Sequence, residues 1–116
     1  MINIVLFKNK MGDIYGFDLS GHAGFADSGE DIVCSAVSVL VINTINSIEE
    51  FLDEKFLVKA DEVSGGFITA SFPRIQAGGK NPELSLLLKV MEKGLLDIES
   101  QYGDFIKVVI KEVPIC

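Results

Sequence analysis

Five short apolar segments and two longer ones divide the chain. The short segments are rich in β-branched and aromatic residues, so each predicts a β-strand: residues 2–7, 14–19, 56–60, 67–72 and 105–113. Met11, Gly12 and Asp13 separate the first two segments, and residues 61–66 separate the next two, so each pair predicts a hairpin. In the fifth segment apolar residues alternate with lysines, which is the pattern of a half-exposed strand.

Residues 32–52 form the first long segment. Their many valines and isoleucines favour a strand, but no glycine or proline interrupts them and the segment is too long for a typical strand. We therefore predict a helix. Ser28 and Asp31 precede it with the spacing of a capping box, although Asp31 stands where Glu or Gln is usual, and Asp31 alone is also a candidate cap.

The second long segment has the clearest helical period in the chain. Asn81 and Pro82 supply a predicted N-cap and first helical residue, and Gly103 with Asp104 ends the segment. Between them the apolar side chains step by three and four residues: Leu84, Leu87, Leu88, Met91, Leu95, Ile98 and Tyr102.

Together these elements predict an α+β fold with the order ββαββαβ. Residues 20–31 and 73–80 carry several glycines and polar residues and are predicted loops. Such an order is typical of a largely antiparallel sheet packed with two helices. At 116 residues, 48% hydrophobic and 23% charged, the chain is expected to be one domain spanning residues 1–116.

Charge, cysteine content and the lengths of the apolar runs indicate which partners and which cellular compartment to expect. The net charge is −7 and Arg74 is the only arginine, so nucleic acid and anionic membranes are poor partners and a basic partner fits better. Two cysteines, one of them the last residue, do not make a disulfide framework, which favours the reducing cytoplasm. The amino-terminal apolar run is too short for a signal peptide, and polar residues interrupt the longest apolar run, so no membrane span is expected.

Residues 21–40, GHAGFADSGEDIVCSAVSVL, hold the candidate chemistry. Cys34 follows a polar, glycine-bearing loop that contains His22, the only histidine. A thiol near a helix start is a candidate nucleophile, and a histidine within reach of it is a candidate base. The alternative readings are a small core residue for Cys34 and a structural role for His22. Asp31 is either a helix cap or the group that orients His22.

Other residues of this stretch have open roles. Ser38, one helical turn after Cys34, is either a hydrogen-bond partner or a small residue that allows close packing. Asp27, Glu30 and Asp31 place negative charge near the thiol, which opposes a thiolate unless they point away or a basic substrate is bound. These carboxylates with His22 and Cys34 are also potential metal ligands, but no recognised ligand spacing is present and no cofactor is expected. Cys116 is expected to have no role.

The same stretch resembles the signature of the bacterial ribosomal-processing cysteine proteases, the Prp family. The resemblance rests on Gly-His, a short loop and then Asp-Ile-Val-Cys-Ser-Ala-Val-Ser, and length and element order are similar throughout. It implies Cys34 as nucleophile, His22 as general base, and supporting roles for Gly21, Asp31 and Ser38. It further implies a homodimer that cuts the N-terminal extension of a large-subunit ribosomal protein after paired phenylalanines.

We therefore expect a cysteine endopeptidase that uses a Cys-His dyad. Phe25, Asp27 and Glu30 are the loop candidates for contact with the substrate. Ribosomal proteins are basic, so the acidic chain would attract such a substrate. Two alternatives stay open: a non-catalytic ribosome-assembly adaptor, in which Cys34 is unreactive, and a metal-dependent hydrolase, which a chelator would inactivate.

Overall fold

Five β-strands form one sheet in the order β3-β4-β2-β1-β5. The computed structural model of the chain describes residues 1–21, 28–61 and 66–112, without the side chains of residues 28–31. The strands within these ranges are β1 (Ile2–Lys8), β2 (Ile14–Ser20), β3 (Leu57–Asp61), β4 (Phe67–Ser71) and β5 (Ile106–Glu112). All five predicted strands are thus present, with ends within one or two residues of the predicted ones wherever the end is described.

The described helices are α1 (Ser28–Phe51), α2 (Pro73–Gln76) and α3 (Pro82–Tyr102). Two loop predictions are wrong in part. Helix α1 begins at Ser28 and not at residue 32, because small and acidic residues suit the first turn, where N–H groups lack intrahelical partners. The predicted loop 73–80 begins with the short helix α2, for which Pro73 supplies the first helical residue.

Three of the four strand pairings are antiparallel, so the prediction of a largely antiparallel α+β sheet is confirmed. β1 pairs with β2, β2 with β4, and β3 with β4, all antiparallel, whereas β5 runs parallel to β1. The parallel pairing follows from α3, which carries the chain from β4 back across the sheet to begin β5 at the same end as β1.

One face of the sheet is buried under α1 and α3. The strand residues of this face lie in register across the sheet, with Ile4 opposite Leu19, and Leu19 opposite Ile68. They join the inward residues of both helices in a single core. The helices approach closely where a Cβ atom at Gly94 would lie only 2.7 Å from Leu40 Cδ2. A larger residue at position 94 would therefore require the Leu40 side chain to move.

Helix α1 is apolar enough to meet the composition of a membrane span, although the sequence analysis expected no such span. Residues Ile32–Phe51 have a mean hydropathy of 1.6, and by length and composition alone they are able to cross a membrane. Core helices of soluble proteins share this property. In α1 the buried residues repeat at helical spacing and face the sheet and α3: Val33, Val37, Val41, Ile45 and Ile48. The packing accounts for these residues, whereas Ile32, Val39, Ile42 and Phe51 of the same helix are exposed.

Candidate active site

Cys34 lies in the second turn of α1 and is almost fully buried. Its exposed fraction is 7%, and Val33 and Val37 beside it are buried in the same core. Because α1 begins at Ser28, the backbone N–H of Cys34 takes part in the helix, and the macrodipole, which acts mainly on the first turn, favours a thiolate here less than predicted. Activation of this thiol therefore depends on a neighbouring base more than on the helix.

Asp31 and Glu30 fall within the first turn of α1. The reading in which Asp31 alone caps the helix is wrong, because the cap is the residue before the first helical one and the helix starts at Ser28. The capping-box reading with Ser28 depends on side chains outside the described part of the structure and stays a prediction. The reading of Asp31 as the group that orients His22 stays open. The side chains of Glu30 and Asp31 lie outside the described part of the structure.

Ser38 is half-buried and lies one turn after Cys34 on the same side of α1. Its position agrees with both predicted roles, a hydrogen-bond partner or a small packing residue. The rigid helix fixes the relative positions of Cys34 and Ser38, which is the arrangement that a positioned nucleophile requires.

Gly21 directly follows β2 and holds the chain in a conformation that only glycine adopts readily. Its φ is +83°, and a Cβ atom at this position would clash with the carbonyl oxygen of Met1. Its N–H donates to the carbonyl oxygen of Gly66 at 3.3 Å. Gly21 thereby fixes where the chain leaves the sheet immediately before His22.

Four other predicted residues lie outside the described residues: His22, Phe25, Asp27 and Cys116. Their predicted roles stay predictions. Within the described part of the chain, no group of three or more histidine, cysteine, aspartate or glutamate side chains is placed to hold a metal ion. The metal-ligand set proposed from the sequence includes residues outside that part.

An apolar cavity of about 190 Å³ lies farther along α1, between the helix and the β3–β4 hairpin. Six of its seven lining residues are apolar, and Asn46 is the seventh: Ile42, Ile45, Asn46, Val58, Ala60, Phe67 and Ile68. Two larger, more open cavities lie elsewhere, one of them on the uncovered face of the sheet around Tyr15 and Asp18. Of these three cavities in the described part of the chain, the α1–hairpin cavity is the one lined by residues of α1, the helix that carries Cys34.

A buried carboxylate that the sequence did not indicate joins the segment after α1 to α2 and to the start of α3. The Glu54 side chain is 2% exposed and pairs with Arg74 at 2.7 Å. Asn81 is the predicted N-cap of α3, and its side-chain oxygen accepts a hydrogen bond from the N–H of Leu84. Its side-chain NH2 group also donates to Glu54 at 3.0 Å. No sequence signal links these residues, since they lie far apart along the chain.

A sequence profile described as "Cysteine protease Prp" matches residues 1–107, which include both Cys34 and His22. The chain belongs to this family. The match confirms the family that residues 21–40 predicted.

Named Prp proteins align along nearly the whole chain. The ribosomal processing cysteine protease Prp of Bacillus subtilis is 29% identical over 108 residues, covering 93% of this chain and 96% of the relative. The Prp protease from S. aureus in complex with a substrate peptide superposes with a TM-score of 0.85 at 26% identity, covering 96% of this chain and all of that one. The structure of the same protease with a covalently linked product peptide superposes with a TM-score of 0.80 at 28% identity and covers the same shares of the two chains.

Proposed function

We propose that this Prp-family protein is an endopeptidase that removes the N-terminal extension of a large-subunit ribosomal protein. The observation that carries the proposal is a buried thiol, Cys34, held on a packed helix in a chain of this family. Rigid placement of the nucleophile supports catalysis, because a small displacement from the scissile carbonyl costs much of the rate.

In the proposed mechanism His22 takes the proton of Cys34. The thiolate attacks the scissile carbonyl carbon, and the C–N bond breaks as His22 protonates the leaving amine. The resulting thioester is then attacked by water, whose proton passes to His22, and the acid product leaves with regeneration of the thiol. The N–H groups of the first turn of α1 lack intrahelical acceptors and are candidates for stabilising the oxyanion.

The relatives support the substrate class. The S. aureus relative binds a substrate peptide, and its covalently linked product peptide agrees with nucleophilic catalysis. The net charge of −7 favours encounter with a basic ribosomal protein. The substrate is cut after paired phenylalanines, in the cytoplasm, and the reaction uses no cofactor, nucleic acid or membrane.

The protein acts as a homodimer in this proposal. Support comes from large apolar side chains that are more than half exposed on both long helices: Ile32 and Val39 on α1, Leu86 and Val90 on α3. Exposed apolar side chains of this kind are typical of surfaces that bind another protein.

The test is to incubate the protein with the extended ribosomal protein and weigh the products by mass spectrometry. A single cut that releases the extension, insensitive to EDTA, is expected. Loss of cleavage in EDTA, with rescue by added metal, would favour a metal-dependent hydrolase. Stable binding without any cut would favour the non-catalytic adaptor.

A further inference from the structure

The two edges of the sheet differ in the hydrogen bonds that their backbone already makes outside the sheet. At the β5 edge, Glu99 of α3 accepts the backbone N–H of Val108 at 2.6 Å, so this N–H is already occupied. At the β3 edge, residues 57–60 are all exposed. Among the described residues, no hydrogen bond beyond those within the sheet reaches residues 57–60. Strand β3 therefore presents an edge to which an extended chain can add.

The α1–hairpin cavity opens beside this same edge. Val58 and Ala60, the two residues of β3 that face the helices, form one wall of the cavity, and Ile42 and Ile45 of α1 form the opposite wall. A chain paired with β3 would alternate its side chains between the two faces of the sheet, so that one side chain would point towards this cavity. The lining selects an apolar side chain.

The cavity lies at a distance from Cys34 that a short peptide can span. Ile45 is eleven residues after Cys34 in α1, three turns along and on nearly the same side of the helix. At 1.5 Å per residue, Ile45 lies about 16 Å from Cys34 along the helix axis, and Ile42 lies about 12 Å from Cys34. An extended peptide covers this distance in about four or five residues.

Charge near the cavity identifies the kind of peptide that fits. Glu49, Glu50 and Asp53, at and just after the end of α1, are exposed and follow the lining residue Asn46. Lys59 of β3 lines the cavity on the opposite, uncovered face of the sheet. Basic residues that flank an apolar side chain would be attracted to these carboxylates. An apolar side chain in a basic peptide thus matches both the cavity and its surroundings.

We propose that the substrate peptide adds to the edge of β3 and places an apolar side chain, about four or five residues from the scissile bond, in the α1–hairpin cavity. This inference rests on the proposed function and extends it to substrate selection. Ala60 is then a specificity-determining residue, because its small side chain leaves the cavity open.

The test fills the cavity with Ala60→Phe and uses Ala77→Phe, at another exposed alanine just after α2, as the matched control. Two peptides serve as probes: one spans the N-terminal extension and the cut site, and one keeps only three residues on either side of the scissile bond. Ala60→Phe is expected to lower kcat/KM about tenfold for the long peptide, through KM, the order expected when a pocket loses one apolar contact. Cleavage of the short peptide should not change, and Ala77→Phe should change neither rate.

Binding separates this inference from the proposed function. In a Cys34→Ala background, fluorescence anisotropy of the labelled long peptide should show a Kd about tenfold higher when Ala60→Phe is added. If the parent protein cuts no peptide, the proposed function fails, and the anisotropy still decides whether the edge of β3 binds the peptide.

Three results would overturn the docking proposal. The first is an unchanged Kd in the Ala60→Phe protein. The second is an equal loss of cleavage for the long and the short peptide, which would indicate damage to the catalytic centre. The third is a change in sedimentation with Ala60→Phe that accounts for any loss of binding, since the β3 edge would then be an interface between two copies of the chain.

Discussion

Arg74 and Glu54 form a two-point ion pair that connects three parts of the fold. Arg74 Nη2 lies 2.7 Å from Glu54 Oε1, and Arg74 Nε lies 3.2 Å from Oε2. The same guanidinium donates to the carbonyl oxygen of Lys80 at 2.7 Å, and Asn81 donates to Glu54. The segment that follows α1 is thereby fastened to α2 and to the N-terminus of α3.

The pair lowers the pKa of Glu54 below its ordinary value of 4.5. The hydrogen bond from Arg74 is the main cause, that from Asn81 adds to it, and burial opposes both. A lowered carboxyl pKa in the folded state stabilises the protein above the ordinary value, and this stabilisation is lost as the pH falls through the folded pKa.

We expect Glu54→Gln to lower the free energy of unfolding near neutral pH by about 1 kcal/mol, because a charge-assisted hydrogen bond is weakened while Arg74 remains half exposed to water. Urea unfolding at pH values from about 7 to about 3 measures the effect. The difference between parent and variant should shrink below pH 4.5. A difference that is independent of pH would contradict the assignment to this ion pair.

The matched control for this prediction is Asp97→Asn. Asp97 pairs with Lys93 at 2.7 Å on the exposed side of α3, with both side chains more than half exposed. Exposed pairs at this spacing contribute about 0.3–0.5 kcal/mol, so this variant should change stability little at any pH.

Gly21→Ala should destabilise the protein more than Gly12→Ala. Both glycines have a positive φ, +83° and +82°, so both variants carry the backbone cost of about 1 kcal/mol. Only at Gly21 would the added Cβ also meet the Met1 carbonyl, whereas at Gly12 no atom lies within 4 Å. Thermal unfolding of the two variants side by side measures the difference.

The two glycine variants should also differ in their rates of cleavage. Gly21 directs the chain into His22, so Gly21→Ala is expected to lose most of its activity, and Gly12→Ala, in the β1–β2 turn, should keep it. Equal activity in the two variants would argue against a supporting role for Gly21.

The sequence predicted those element boundaries that depend on a few neighbouring residues. Asn81 and Pro82 define the start of α3 through a cap and a fixed φ, and the structure places both as predicted. The start of α1 was misplaced because Gly29 and the polar residues around it are typical of a loop. The short helix α2 was missed because the glycines after it dominate the pattern.

Long-range relationships could not be predicted in this way. Glu54 and Arg74 are twenty residues apart along the chain, and their contact depends on how the segment after α1 lies against α2. The same holds for the cavity between α1 and the β3–β4 hairpin, whose walls come from three elements. Sequence located the thiol of Cys34 on a helix near its start, and only the fold showed its burial and its place in the second turn.

Asp31→Asn tests whether this carboxylate orients His22. Since α1 begins at Ser28, Asp31 is not the N-cap residue, and the variant should melt close to the parent. If the charge of Asp31 stabilises the imidazolium of His22, kcat should fall by at least about a hundredfold, as expected when a base loses its orienting carboxylate. Asp97→Asn, which neutralises a carboxylate on the exposed side of α3, is the control and should keep most of the rate. An unchanged kcat in Asp31→Asn would rule out the orienting role.

Cys34→Ala should abolish cleavage while the protein remains folded. The side chain lies in the core, but its loss removes only one sulfur atom, and alanine is the best helix former, so the stability cost is expected to be about 1 kcal/mol or less. Cys34→Ser should cleave at a small fraction of the parent rate, because a hydroxyl is a far weaker nucleophile at neutral pH.

Mass spectrometry of the ribosomal protein measures cleavage by these cysteine variants, and thermal unfolding measures stability. The matched control is Cys116→Ser, which changes the other cysteine of the chain and should keep the full rate. Iodoacetamide should inactivate the parent and Cys116→Ser with one alkyl group added at Cys34, since the thiolate is the reactive form. Full turnover by Cys34→Ala, or loss of activity in Cys116→Ser alone, would contradict the assignment of Cys34 as the nucleophile.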